Sequence, residues 1–179
     1  MLAALGAPVT PDRVAQICFA RFAPPLAPNV AMRRAGMTQD FAAIRAFAAR
    51  SVPDTPAGLH LIEGAGGVMS PVTDDKLHLD LIEDLDLPVI LVAAGYLGAV
   101  SHTLTALTCL EARAIPVAAL IVSQPTAEAE PPQHLIDEVK RWSDVTGLAL
   151  PYLAGGERVL EGVDGPGPRR QSVRSIRDP

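Results

Sequence analysis

Between residues 59 and 124, short aliphatic runs alternate with stretches in which apolar positions recur every three or four residues. Segments 59–63, 88–93 and 116–123 are continuous apolar runs of strand length, the pattern of parallel strands covered on both faces. Segments 75–85 and 101–113 lie between them and carry Leu77, Leu81 and Leu85, then Leu104, Leu107 and Leu110, at helical spacing. The order predicted is β-α-β-α-β. Crossovers between parallel strands of one sheet are right-handed, so the three strands should end on one edge, where open α/β sheets bind ligands. Glu63 with Gly64, the turn 95–98, and Ser123 with Gln124 are thereby expected to converge on one crevice.

Upstream, Thr10-Pro11-Asp12 opens a helical turn, while Ala23-Pro24-Pro25-Leu26-Ala27-Pro28 is too rich in proline for a helix interior or a central strand and reads as a surface loop. Residues 40–50 form an amphipathic pattern through Phe41, Ile44, Phe47 and Ala48, stopped by Ser51-Val52-Pro53-Asp54-Thr55-Pro56. Residues 132–146 form another, with Leu135, Ile136, Val139 and Trp142 facing inward, and 148–153 is a candidate last strand. Past Gly155 the sequence turns to Gly, Pro, Arg and Ser. We expect one α/β domain over 1–160 and a disordered tail over 161–179.

Composition narrows the function. The 179 residues suffice for one buried core, and 49% hydrophobic against 20% charged residues excludes a solvated disordered chain. A formal net charge of −5 gives no basic footprint for nucleic acid, which points to a small-molecule ligand. Cys18 and Cys109 form neither a disulfide framework nor a thiolate metal site. No apolar run spans a bilayer and no signal pattern follows Met1, so the chain reads as a cytoplasmic protein without a membrane association.

The sharpest chemical feature is Glu63-Gly64-Ala65-Gly66-Gly67. Glycines let the backbone approach a phosphate, and a carboxylate beside them can hold a hard cation such as Mg²⁺. An isolated glycine turn is as readily just a turn, with Glu63 capped or paired; its expected place at the carboxyl edge of a sheet is what favours a site. Gly95-Tyr96-Leu97-Gly98-Ala99-Val100-Ser101-His102 is a strand-to-helix junction with Ser101 as a candidate N-cap, and its free N–H groups suit an anion, although a plain βα turn has the same form. His102 reads as packed or capping, and His60, His78 and His134 as structural or exposed. Only Lys76 and Lys140 are lysines, and neither lies in a Gly-x-x-x-x-Gly-Lys-Ser/Thr phosphate loop. A nucleophile elbow, a zinc helix and a dinucleotide fingerprint are likewise absent from the sequence.

Taken in order, Leu61-Ile62-Glu63-Gly64-Ala65-Gly66-Gly67, Ser70-Pro71-Val72-Thr73-Asp74, Leu87-Pro88-Val89-Ile90-Leu91-Val92, Leu97-Gly98 and His102-Thr103-Leu104 resemble the dethiobiotin synthase family, and Leu5-Gly6, Thr10-Pro11 and Pro25-Leu26-Ala27-Pro28 fit its middle region. The resemblance covers about residues 1 to 160. It implies a doubly wound, mainly parallel sheet with helices on both faces, of phosphate-loop NTPase architecture, in a cytoplasmic homodimer. The implied reaction is the ATP- and Mg²⁺-dependent closure of the ureido ring of dethiobiotin from 7,8-diaminononanoate and CO₂. By position it implies Glu63 as a Mg²⁺ ligand and Glu63, Gly64, Ala65 and Gly66 along the ATP phosphates. It likewise implies Ser123, Gln124, Pro151, Tyr152 and Leu153 around the adenine, and Pro28, Asn29, Leu97 and Gly98 at the diamino acid. Ser123-Gln124 replaces the family's Asn, which leaves adenine selectivity open. The family's phosphate loop and carbamate-handling lysine precede the region that Met1 to Gly6 resembles, so the first β-α unit is expected to be missing and these 179 residues alone to be weakly active or inactive. The alternatives are a non-catalytic nucleotide-binding or dimerising subunit, and a related ATP-dependent amidotransferase-type synthetase domain.

Overall fold

The computed structural model describes residues 6–50 and 60–153. Its centre is a sheet of three parallel strands, β1 (Val89–Ala94), β2 (Val117–Ser123) and β3 (Gly147–Leu150), in the order β1-β2-β3. Helix α5 (Ala99–Ala112) links β1 to β2, and α6 (Pro132–Lys140) links β2 to β3. Both crossovers advance across the sheet in one direction, so right-handedness lays both helices on the same face. There Leu91, Ala93, Leu120 and Val122 of the strands meet Leu107 of α5 and Leu135, Ile136 and Val139 of α6 in the main core. The period-two alternation of a strand points Ile90, Val92, Ile121 and Leu148 to the other face, and Val92 there is 65% exposed.

Four helices precede the sheet. In α1 (Pro11–Ile17) proline occupies the first turn and the Thr10 hydroxyl accepts from the Arg13 N–H at 3.3 Å, a standard start. In α2 (Pro28–Arg34) proline again opens the helix, and α3 (Phe41–Arg50) begins after Asp40, whose carboxylate accepts from the Ala43 N–H at 2.9 Å. Helix α4 (His78–Leu85) starts where Asp80 accepts from the Leu77 N–H at 2.8 Å. A second core cluster joins Leu79 of α4 to Leu110 and Ile115, with Val68, Leu77, Val89 and Val117 around it.

The α/β class and the parallel sheet agree with the sequence pattern, and several elements do not. Residues 60–63 form no strand: they are exposed coil, with Leu61 at 59%, and Leu59 lies outside the described residues. A strand is held by its ladder, and among the described residues β1 pairs only with β2, so the apolar run has no neighbour. The candidate last strand over 148–153 is present as Gly147–Leu150 and supplies the third strand. Ser101 is not the N-cap of α5; Gly98 is, at φ +97°, and Ser101 lies one turn inside, its carbonyl accepting from the Thr105 hydroxyl at 2.8 Å. Pro28, read as the end of a surface loop, instead begins α2, with Asn29 as its second residue. Helix α6 stops at Lys140 rather than 146, which turns Trp142 outward instead of into the core. The expected tail 161–179 and the breaker 51–56 lie outside the described residues.

Candidate functional site

The glycine turn is built around one left-handed residue. Gly66 has φ +102°, a conformation that side chains rarely adopt, and a Cβ there would lie 2.4 Å from the Ser70 hydroxyl oxygen. That hydroxyl accepts from the Gly67 N–H at 3.0 Å, and the Gly67 carbonyl accepts from the Ser70 N–H at 2.9 Å. Beneath the turn lies His78, a residue that the sequence pattern presents only as one more scattered histidine. It is buried, and a Cβ on Gly64 would meet its Cδ2 at 3.0 Å and its Nε2 at 3.1 Å. Burial lowers the His78 pKa below its usual value, opposed in part by a hydrogen bond with the Gly67 backbone. Its Nδ1 is buried with no hydrogen-bond partner among the described residues. The ring is thus a neutral support for Gly64 and Gly67. Only the absence of a Cβ at Gly64 hints at it in the sequence.

Residues 70–77 fasten α2 to this turn. The Asn29 N–H donates to the Pro71 carbonyl at 3.4 Å, and the Asn29 side-chain amide donates to Asp74 at 2.9 Å. Arg33 donates to the same carboxylate oxygen at 2.7 Å, while Gln39 donates to its other oxygen at 3.2 Å and accepts from the Asp74 N–H at 2.6 Å. Asn29 is buried in this cluster, and its Oδ1 has no partner among the described residues. Pro28 and Asn29 are therefore placed a few residues from the glycine turn by an acid, an arginine and a glutamine that the motif reading did not single out.

A second group gathers at the carboxyl ends of the strands. Ser123 lies in register with Leu150, the Gln124 N–H donates to the Leu150 carbonyl at 2.9 Å, and the Gln124 side-chain oxygen accepts from the Tyr152 N–H at 3.3 Å. Its amide nitrogen donates to the Ala129 carbonyl at 2.9 Å, which draws the loop after β2 over the same end. Gly95 abuts that loop, since a Cβ there would lie 3.3 Å from the Glu130 carbonyl oxygen. Ser123, Gln124, Pro151, Tyr152 and Leu153 thus adjoin one another, with the turn 95–98 alongside. At that turn the Tyr96 hydroxyl and His102 Nδ1 are hydrogen-bonded at 2.8 Å, and Leu97 is fully exposed.

The glycine turn continues into Val68, which packs in the second cluster beside Val89 and Val117, the first residues of β1 and β2. Residues 60–63 form no strand of the sheet. Among the described residues no three His, Cys, Asp or Glu side chains gather as a metal cage. Exposed Glu63 suits Mg²⁺ as one carboxylate donor, since that ion commonly takes one or two protein oxygens and fills its remaining positions with phosphate and water.

A parallel sheet with its polar turns at the carboxyl ends of the strands, and a separate turn of three glycines, defines an α/β nucleotide-binding class, and the AAA domain family matches residues 9–155. Among individual proteins, the chain is 48% identical over 132 residues to the ATP-dependent dethiobiotin synthetase of Phenylobacterium zucineum, covering 74% of this chain and 56% of the relative. To that of Methylobacterium nodulans it is 38% identical over 165 residues, 92% of this chain and 72% of the relative. To that of Caulobacter vibrioides it is 49% identical over 104 residues, 58% of this chain and 48% of the relative. The chain belongs to the dethiobiotin synthetase family. It spans between about half and three quarters of the length of these three relatives.

Proposed function

We propose that this polypeptide carries the nucleotide and diamino-acid walls of a dethiobiotin synthetase, whose reaction joins 7,8-diaminononanoate and CO₂ into the ureido ring of dethiobiotin with ATP as phosphoryl donor. The observation that carries the reading is the Glu63–Gly67 turn, shaped by the Gly66 conformation and supported by Ser70 and His78, with an exposed carboxylate at its start, in a member of this family. Glu63 supplies one oxygen to Mg²⁺, and Gly64, Ala65 and Gly66 follow the phosphates. When bound, the ion would supply positive charge beside the transferring phosphoryl group. Ser123, Gln124, Pro151, Tyr152 and Leu153 form the wall for adenine. Pro28 and Asn29 face the diamino acid, and Leu97 with Gly98 meets it across a homodimer. The protein acts in the cytoplasm. No helix among the described residues is long and apolar enough to cross a membrane.

Phosphoryl transfer also needs a cation held against the terminal phosphates, and these 179 residues contain no Gly-x-x-x-x-Gly-Lys sequence. The purified chain is therefore weakly active or inactive by itself. That same observation favours a second reading, a nucleotide-binding or dimerising subunit without catalysis. Dethiobiotin formed from 7,8-diaminononanoate, bicarbonate and MgATP at ordinary enzyme rates overturns the inactivity. Glu63→Gln should abolish Mg²⁺-dependent ATP binding measured by calorimetry; unchanged binding removes Glu63 from the site.

A further inference from the structure

Gln124 stands one residue past the end of β2, and its side-chain amide is engaged at both ends. Its Nε2 donates to the Ala127 carbonyl at 3.3 Å and to the Ala129 carbonyl at 2.9 Å, while its Oε1 accepts from the Tyr152 N–H at 3.3 Å. Backbone carbonyls only accept and a backbone N–H only donates, so these partners fix which end of the amide is which. Both amide hydrogens are spent. A glutamine reads adenine by donating and accepting at once through a pair of bonds from one amide, and that pair is not available at Gln124. The neighbouring Ser123 hydroxyl, by contrast, has no hydrogen-bond partner among the described residues.

The amide instead joins separate segments of the carboxyl edge. The Gln124 N–H donates to the Leu150 carbonyl at 2.9 Å, which carries the β2–β3 ladder past the Ser123–Leu150 pair and sets the side chain beside Tyr152. On its other side, the loop 126–130 is closed by a bond from the Ala129 N–H to the Thr126 carbonyl at 3.2 Å, and Glu130 of that loop lies against Gly95. We infer that Gln124 is a positioning residue and not a reader of the base: it braces the loop 126–130 and Tyr152 at the carboxyl edge, and a nucleotide seated there feels it only through the wall they form. The inference rests on the proposed adenine wall for its ligand and on the hydrogen bonds alone for the brace. A brace acts by pre-organising the loop, so its loss weakens different nucleoside triphosphates by one factor. A reader discriminates, because adenine presents an amino donor where guanine presents a carbonyl acceptor.

The test compares the full 179-residue chain with two variants at this half-buried position. Gln124→Met keeps the length of the side chain and removes all three bonds, whereas Gln124→Glu keeps an oxygen for Tyr152 and has no hydrogens for Ala127 and Ala129. In Gln124→Met, hydrogen exchange at the Tyr152 and Ala129 amides should quicken on the order of tenfold, with Leu120 and Val122 of β2 unchanged. In Gln124→Glu, Ala129 should be released and Tyr152 should stay protected. Calorimetry should show MgATP and MgGTP weakened by the same factor in Gln124→Met, on the order of tenfold. Unchanged exchange at Tyr152 in Gln124→Met, unchanged exchange at Ala129 in both variants, or a loss of affinity confined to one of the two nucleotides would each overturn the inference. Quickened exchange with both affinities untouched, or with a parent chain that binds neither nucleotide, upholds the brace and counts against the adenine wall, so the inference and the proposed function fail separately.

Discussion

At the scale of single residues, the glycine turn separates conformation from mere smallness. Gly66→Ala must place a Cβ at positive φ and against the Ser70 hydroxyl that receives the Gly67 N–H, so it should lower the unfolding free energy by about 1–3 kcal/mol. Gly67→Ala meets nothing within 4 Å, and urea unfolding should place it within about 0.5 kcal/mol of the parent. His78 gives the turn a pH dependence. Its pKa in the fold is lowered by burial, so the unfolded chain takes up the proton first as pH falls. Stability should be level above the ordinary histidine range, fall as pH drops through it toward the lowered value, and level off below. His78→Phe keeps an aromatic ring under Gly64 without the proton, and the difference between the two urea-unfolding profiles from pH 7.5 to 5 isolates this residue. Parallel profiles would show that His78 is not buried neutral.

At the scale of elements, β3 is short, pairs with β2 along its four residues and meets α6 in a tight contact at Gly147. A Cβ on Gly147 would lie 2.5 Å from Ile136 Cγ2, and Ile136 is fully buried. Gly147→Ala should therefore cost about 1–3 kcal/mol by overpacking. Adding Ile136→Leu, which removes the branch that clashes, should recover part of the loss, so that a double-mutant cycle shows favourable coupling; strict additivity would mean that the contact does not form. Gly147 is also a measure of what the sequence discloses. The runs around Val89 and Val117 and the helices through Leu107 and Ile136 follow from periodicity because their burial comes from neighbours close in the chain. Residues 60–63, the described part of the run ending at Glu63, form no strand, because a strand depends on a partner that pattern does not name. Trp142 misled for a related reason: its spacing fits a helix that ends two residues before it. At the site, the glycines and Glu63 were legible as a motif. Their supports were not, since His78, Asp74 and Gln39 act through contacts that only the fold creates.

At the scale of the whole molecule, Val92 and Leu97 are exposed apolar positions in different places. Val92 belongs to the bare sheet face, whereas Leu97 projects from the junction between β1 and α5, with the neighbouring Tyr96 tied to His102. A leucine whose side chain is entirely in water gains nothing from the monomer, and burying it against a second protomer returns about 1.5–3 kcal/mol. It cannot be the whole interface, because stable dimers bury on the order of 1,600 Å². It can be an anchor whose loss is measurable. The chain should sediment as a dimer at micromolar concentration. Leu97→Asp should then raise the dissociation constant at least tenfold, as expected when a charge replaces an apolar anchor at a desolvated centre. A dimer insensitive to Leu97→Asp would place the interface elsewhere and would detach Leu97 and Gly98 from the diamino-acid site. A chain monomeric with Leu97 intact would remove the homodimer itself from the proposed function.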